Sequence, residues 1–202
     1  MAVPVWIVIF LMSLVLHELC HGLVAYALGD PTAKRAGRLS LNPLRHIDPF
    51  WTLILPGLML ISTGGRFAIG MAKPVPVDFR RLGHPRQDMV WVALAGPAAN
   101  ILLAAFLNFF LRSFPFEFLL YAVYFNLGLA VFNLIPIPPL DGSRVVTGLL
   151  PDRLAAAYLR LEPYGFLIIL FLYFTHTLSY LILPGIDFFC RLFGVPRLGI
   201  QF

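Results

Sequence analysis

Charged side chains are scarce in this sequence. They make up 12% of its 202 residues, whereas an ordinary soluble domain carries about 25%. Hydrophobic residues make up 59%, and the mean hydropathy is +0.84. This combination excludes a soluble globular domain and predicts an integral membrane protein. We expect an all-α polytopic fold in which residues 1–202 form a single membrane domain.

Cysteine is rarer still, and repeats are absent. The two cysteines, Cys20 and Cys190, lie far apart and do not form a C-x-x-C pair. Nothing therefore indicates a disulfide framework or a cysteine-based zinc pattern. The lack of an internal repeat argues against the transporter folds that are built from repeats.

Acidic residues are outnumbered by basic ones, 10 against 15, which gives a formal net charge of +5. In a soluble protein this excess would suggest a nucleic-acid partner, but in a membrane protein it is typical of cytoplasmic loops. Most of the basic residues lie in the loops at 29–48 and 64–88. We therefore expect no nucleic-acid partner. We expect a multi-pass protein of the cell membrane, with these basic loops and any functional site near them on the cytoplasmic side.

Four long apolar runs predict membrane-spanning helices, over roughly residues 4–28, 89–111, 118–135 and 163–183. We expect the first run to be a permanent span, because it lacks the basic start of a signal peptide. The run at 50–62 is too short to span and contains Pro56-Gly57. We expect it to re-enter the membrane or to lie at its surface.

Two loop segments, residues 38–42 and 66–73, have the character of short extended strands. An irregular basic loop explains the first segment equally well. After the third span, residues 143–161 are predicted to be helical and partly interfacial.

Ionisable residues are nearly absent from the first apolar run, and those present form a motif. Apart from one cysteine and one tyrosine, they are His17, Glu18 and His21, in the pattern H-E-x-x-H. Two histidines four residues apart share one helix face and can bind one Zn²⁺. The glutamate then lies beside the metal, where a general base is needed. Because ionisable groups at membrane depth are costly, they indicate a functional site.

A catalytic zinc site needs a third protein ligand and keeps one position open for water. If the first span starts outside, both histidines lie in its cytoplasmic half, and Asp141 reaches a similar depth after the third span. Glu117 falls on the opposite side. The acids of the basic loops, for which arginine pairing is expected, are Asp30, Asp48, Asp78 and Asp88. Asp141 is the best candidate; the alternative is that it caps a helix beginning at Gly142.

Asn100 lies in the second span, where a buried amide needs a hydrogen-bond partner. A structural bond between helices and a direct catalytic role, such as substrate positioning, account for it equally well.

Three motifs in chain order resemble the site-2 protease family of intramembrane zinc metalloproteases. They are His17–His21, Gly96–Asn100 and Asn133–Gly142. The resemblance covers roughly residues 4–150 and is to a compact form without a PDZ or nucleotide-sensing domain. It implies a core of three transmembrane helices that carries the site, and extended loop residues that offer an edge to a substrate strand.

The resemblance also implies roles for individual residues. One Zn²⁺ per chain would bind His17, His21 and Asp141, and Glu18 would be the catalytic base. Asn133 would position the substrate or polarise its carbonyl group. We expect Cys20 to pack rather than to bind, because two histidines, an aspartate and water already fill four positions.

These features predict an intramembrane zinc metalloprotease that hydrolyses peptide bonds in membrane-spanning protein segments. Two alternatives are a membrane metal-ion transporter and a catalytically silent membrane-binding relative. A transporter would need more polar residues along its spans than this sequence offers. A silent relative would more naturally lack Glu18.

A cysteine introduced at position 35 or 81 tests the predicted topology. Both positions lie in basic loops, so an impermeant thiol reagent should label Arg35→Cys and Arg81→Cys from the cytoplasmic side alone. The parent chain, with Cys20 and Cys190, controls for background labelling. Labelling of Arg81→Cys only from outside would mean that residues 50–62 cross the membrane.

Overall fold

The computed structural model describes residues 3–46, 48–62, 64, 73–114 and 116–196. All regular structure in these ranges is helical, which confirms the predicted all-α fold. The helices are α1 (Val3–Ala27), α2 (Thr32–Arg35), α3 (Leu55–Ser62), α4 (Pro85–Ser113), α5 (Glu117–Asn133), α6 (Asp141–Leu149), α7 (Asp152–Leu159), α8 (Gly165–Phe174) and α9 (Thr177–Phe193). A π-helical stretch at Pro49–Ile54 continues into α3, and 3-10 turns lie at Pro43–Arg45, Phe79–Arg81 and Glu162–Tyr164.

Three helical segments are long and apolar enough to cross a membrane: Ile7–Ala27, Pro85–Ser113 and Asp152–Phe174. The third segment joins α7 to α8 through a 3-10 turn. α5 is also apolar but has only 17 residues. The chain is therefore a multi-pass membrane protein, in agreement with its composition.

The predicted bounds of the last span, 163–183, are wrong, because the helix breaks within that apolar run and the candidate span is Asp152–Phe174. α8 ends at Phe174, and His176 has a left-handed backbone with a φ of 58° before α9 begins. The Phe171 carbonyl accepts hydrogen bonds from both the Thr175 N–H (3.0 Å) and the Thr175 hydroxyl (2.9 Å), which close the last turn of α8. Neither glycine nor proline stands at the break, so the usual helix-breaking residues do not reveal it.

The loop before the π-helical stretch is irregular, so the strand predicted at 38–42 is wrong and the irregular alternative is confirmed. Asn42 organises the turn that follows, because its side chain accepts a hydrogen bond from the Leu44 N–H (3.0 Å). The strand predicted at 66–73 lies outside the described residues except for its last position. The placement of residues 50–62 at or within the membrane stays a prediction.

α4 forms the centre of the bundle and packs against α1, α5 and α6. Small residues allow this close approach of helices in a bilayer. Those buried on α4 include Ala93, Gly96, Ala99 and Ala104. α9 packs against α5 through a buried apolar cluster that includes Val123, Leu127 and Cys190.

Residues 73–83, called the strap below, fold back over the C-terminal end of α1. The buried Asp30 carboxylate accepts a hydrogen bond from the Asp78 N–H (2.7 Å). The Gly83 N–H donates to the Leu28 carbonyl (3.0 Å). These bonds fix the strap next to the part of α1 that carries the H-E-x-x-H motif.

Arginine pairing of the loop acids is confirmed for Asp78. Asp78 binds Arg80 Nε (3.0 Å) and Arg81 Nε (3.1 Å), and the hydrogen bond from Arg80 lowers the pKa of the Asp78 carboxyl. Asp30 and Asp88 bind backbone amides, so their carboxylates hold loops in place.

A turn rich in proline, residues 134–140, connects α5 to α6. The Tyr158 hydroxyl donates to the Pro136 carbonyl (2.7 Å) and anchors the turn to α7. At the start of α8 the approach is so close that a Cβ atom at Gly165 would overlap the Pro138 carbonyl oxygen. The turn is therefore packed closely against the start of α8.

Gly165→Ala tests the importance of this contact for stability. The added methyl group would meet a backbone atom that cannot move aside, so the protein should lose about 2 kcal/mol or more. The matched control is Gly57→Ala in α3, where a Cβ atom meets nothing within 4 Å. Thermal unfolding in detergent should show a lower midpoint for Gly165→Ala only; equal midpoints in the two variants would contradict the packing described.

Candidate metal centre

Two histidines of α1 and the first residue of α6 meet between these helices. His17 Nε2 lies 3.0 Å from Asp141 Oδ2, and His21 Nε2 lies 3.3 Å from the same oxygen. The two Nε2 atoms are 3.0 Å apart. In the part of the chain that the structure describes, this is the one cluster of three such side chains close enough to share a metal ion.

The other ring nitrogen of each histidine is committed to a hydrogen bond. His17 Nδ1 lies 2.6 Å from Asn100 Oδ1, and His21 Nδ1 lies 2.6 Å from the Val92 carbonyl oxygen. Both oxygens can only accept, so each Nδ1 must carry a proton. In a neutral imidazole Nε2 then has a free lone pair. Two such lone pairs and a carboxylate oxygen therefore point toward one another.

The residues present fit a zinc ion. Asp141 Oδ2 is buried and accepts no hydrogen bond from the described residues. Four ligands at about 2.0–2.1 Å in a tetrahedron around Zn²⁺ would lie about 3.3 Å apart. The observed spacing of the three donor atoms, 3.0 to 3.3 Å, is close to that value. Two imidazoles and one carboxylate are also a ligand set that catalytic zinc sites use.

The backbone of α4 at Gly96 forms the wall behind the two histidines. A Cβ atom at this position would lie 2.6 Å from His17 Nε2 and would also overlap His21 Nε2. Because Cβ atoms essentially never approach other atoms so closely, only glycine leaves room for both rings. The small-residue pattern of the second span predicts helix packing for Gly96 and does not reveal this second role.

Glu18 follows His17 on α1 and is half-buried. Its Oε2 atom accepts a hydrogen bond from the Val75 N–H in the strap (2.8 Å). Val75 is flanked by Pro74 and Pro76, which have no N–H group, so its amide is the only backbone donor of this tripeptide. The strap thus fixes the carboxylate of the residue that follows His17.

Asn100 is fully buried, and its amide is used entirely inside the bundle. Its Oδ1 faces His17, while its Nδ2 donates to the Ser13 carbonyl (3.2 Å) and to Asn126 Oδ1 (2.8 Å). The structure therefore shows hydrogen bonds between helices at Asn100 and leaves no amide hydrogen for a substrate.

The remaining candidate residues are Asn133, Asp141 in its alternative role, and Cys20. Asn133 ends α5, is half-buried, and donates to the Leu129 carbonyl (2.9 Å). The alternative that Asp141 caps a helix is wrong, because α6 begins at Asp141 itself and Leu140 holds the cap position. Cys20 is half-buried and does not belong to the metal cluster.

Sequence reasoning does not assign Ser13 and Asn126 to the site, although both belong to its surroundings. They are polar residues in otherwise apolar helices, and Ser13 lies four residues before His17 on the same helix face. The rarity of polar residues in these apolar helices is the sequence signal that could have identified both residues.

Comparison with known proteins bears on what this cluster does. The sequence profile of peptidase family M50 matches residues 112–175. YwhC of Bacillus subtilis, which bears the name "Putative zinc metalloprotease", is 38% identical over 95% of this chain and 91% of YwhC. The chain belongs to peptidase family M50.

M50 is the site-2 protease family, so the resemblance carried by the three motifs is confirmed. Rip2 of Mycolicibacterium smegmatis is also described as "Putative zinc metalloprotease". It is 35% identical over 84% of this chain and 66% of Rip2. No solved structure matches the chain. A zinc metalloprotease family agrees with a cluster of two histidines and one carboxylate.

Gly96→Ala tests the assignment of the cluster within this M50 chain. The methyl group would displace both imidazole rings, so zinc affinity should fall by at least about tenfold. The matched control is Gly128→Ala on α5, where a Cβ atom would lie 3.7 Å from Ile186, an ordinary contact. Metal analysis after dialysis should show zinc loss in Gly96→Ala only; full zinc content in this variant would rule out the described site.

Proposed function

We propose that this chain is an intramembrane zinc metalloprotease that hydrolyses peptide bonds in membrane-spanning segments of protein substrates. The observation that carries the proposal is the convergence of His17, His21 and Asp141 inside a membrane bundle. Glu18 follows His17 directly in α1. Membership of peptidase family M50 and the names of the relatives support it. One zinc ion per chain is bound.

The three ligands hold the metal, and the neighbouring residues act on the substrate. When bound, zinc supplies Lewis acidity, which polarises the scissile carbonyl and makes water acidic enough, with a pKa of about 7, to attack near neutral pH. Glu18 takes the proton from the attacking water and returns it to the leaving amine. The Val75 N–H orients this carboxylate through one oxygen, and the other oxygen receives the proton.

The two asparagines have different roles in this mechanism. Asn133 lies at the end of α5, eight residues before the ligand Asp141, and positions the substrate carbonyl with its amide. Asn100 orients the ligand His17 through its Oδ1 atom. It does not contact the substrate, because both of its amide hydrogens are already used within the bundle.

The substrate must be unwound locally before it reaches the site. In a helix each peptide bond is shielded by side chains and already hydrogen-bonded, so neither water nor Glu18 could approach it. Water reaches the site from the cytoplasmic side of the cell membrane. The basic loop residues on either side of the strap support this orientation.

Glu18→Gln and Asp141→Asn separate the base from the ligand. Glutamine can still accept the Val75 N–H but cannot take up a proton, so Glu18→Gln should bind zinc normally and lose at least about a hundredfold in turnover. Asp141→Asn should weaken zinc binding itself, because a neutral amide is a poor zinc ligand. The assay uses liposomes and a single-span peptide with helix-breaking residues.

The control for this assay is Glu117→Gln at the start of α5, the end of that helix opposite to the site. This variant should cleave the peptide at the parent rate. Parent-rate cleavage by Glu18→Gln would refute the mechanism. Metal flux without peptide cleavage in the parent chain would favour a transporter instead.

A further inference from the structure

A line of buried polar side chains leads from the zinc ligand His17 across the bundle to α5. Its members are Ser13, His17, Asn100 and Asn126, and each is between 0% and 4% exposed. Polar groups inside a membrane bundle must satisfy one another, because lipid offers no hydrogen bonds. The donors and acceptors along this line are therefore matched to one another.

The direction of the hydrogen bonds is fixed at Asn126. Its Nδ2 donates to the Ala122 carbonyl (2.9 Å) and to Ser13 Oγ (3.0 Å), which uses both amide hydrogens. Because a carbonyl can only accept, Asn126 cannot exchange its nitrogen for its oxygen. Asn126 Oδ1 must therefore face Asn100 as an acceptor.

Asn100 is oriented in turn. Its Nδ2 donates to Asn126 Oδ1 (2.8 Å) and to the Ser13 carbonyl (3.2 Å). A reversed amide would place its oxygen against these two acceptors, which is unfavourable in a dry interior. Asn100 Oδ1 therefore faces His17 and accepts the proton of its Nδ1 (2.6 Å).

We propose that Asn126, together with Ser13, is a positioning residue of the metal centre that fixes the tautomer of His17 through Asn100. With the proton held at Nδ1, His17 keeps the lone pair of Nε2 directed toward Asp141. Asn126 touches neither the metal nor the substrate. The inference rests on the proposed function, in which His17 is a zinc ligand.

The two histidines differ in what fixes their tautomers. His21 is oriented by the Val92 carbonyl, a backbone atom that no substitution removes. His17 is oriented by a side chain, and a side-chain amide can be reversed unless other groups hold it. Asn126 and Ser13 hold the Asn100 amide in place. This hydrogen-bonded chain from Ser13 and Asn126 through Asn100, called the relay below, therefore acts on His17 alone.

Asn126→Leu tests the relay, since leucine has the same branching at Cγ, is larger, and has no polar atoms. Asn100 then loses one of its two acceptors, and its reversed orientation becomes less unfavourable. We expect zinc affinity, measured by competition with a chromogenic chelator in detergent, to fall about tenfold, because outer partners of metal ligands contribute about 10- to 100-fold. The absorption bands of Co²⁺ bound in place of zinc should also shift, because they report ligand geometry.

Asn108→Leu is the matched control. Asn108 is a buried asparagine of α4 whose Nδ2 donates to the Phe193 carbonyl (2.8 Å), outside the relay. The control should keep the parent zinc affinity and Co²⁺ spectrum even where it lowers the unfolding midpoint. A merely structural role for Asn126 would instead affect both asparagine variants alike.

Two further variants keep the test decisive if Asn126→Leu does not fold. Asn126→Asp, as a neutral acid at this depth, retains an acceptor toward Asn100 and should keep most of the zinc affinity. Ser13→Ala leaves both asparagines in place and should lower zinc affinity about threefold. This loss is smaller than the loss expected for Asn126→Leu, because Asn126 contacts Asn100 directly.

The proposal would be overturned if Asn126→Leu kept the zinc affinity and the Co²⁺ spectrum of the parent protein. If Asn126→Leu does not fold, parent zinc affinity and an unchanged Co²⁺ spectrum in Ser13→Ala would overturn it. An equal loss of affinity in Asn108→Leu would also overturn it. Failure of the proposed function has a different signature. A chain that binds zinc, loses affinity in Asn126→Leu and cleaves no membrane-spanning peptide would retain the relay and refute the protease.

Discussion

Three electron-pair donors lie within 3.3 Å of one another inside a helical membrane bundle. Without a cation, His17 Nε2, His21 Nε2 and Asp141 Oδ2 would repel one another in a setting that cannot solvate them. The fold nevertheless holds them together, because each histidine is tied down through its Nδ1 and Asp141 is fixed by the start of α6. The three donor atoms are thus held in place in advance, in an arrangement that could bind a metal ion.

α4 carries none of the ligands, yet it shapes the centre from behind. Val92, Gly96 and Asn100 are spaced by four residues and so lie along one face of the helix. The first orients His21 through its carbonyl, the second leaves room for both rings, and the third orients His17. A single helix face therefore combines close packing against α1 with control of both imidazole tautomers.

The convergence of His17, His21 and Asp141 could be predicted from the sequence, because the spacing of the two histidines and the apolar setting are both visible in one dimension. The position of a helix break and the path of a loop could not be predicted in the same way. The break at His176 has no glycine or proline to mark it, and the hydrogen bond from Val75 to Glu18 depends on how a loop folds back. The role of Asn126 depends on how α5 is rotated against α1, which no short motif specifies.

X-ray absorption spectroscopy at the zinc edge tests the central claim most directly, namely that His17, His21 and Asp141 form one zinc centre. The spectrum of the zinc-loaded chain should show nitrogen and oxygen neighbours at about 2.0–2.1 Å, with the outer scattering of two imidazole rings. A sulfur neighbour at about 2.3 Å would contradict the account, because it would place Cys20 in the centre. So would a spectrum with fewer than two imidazoles.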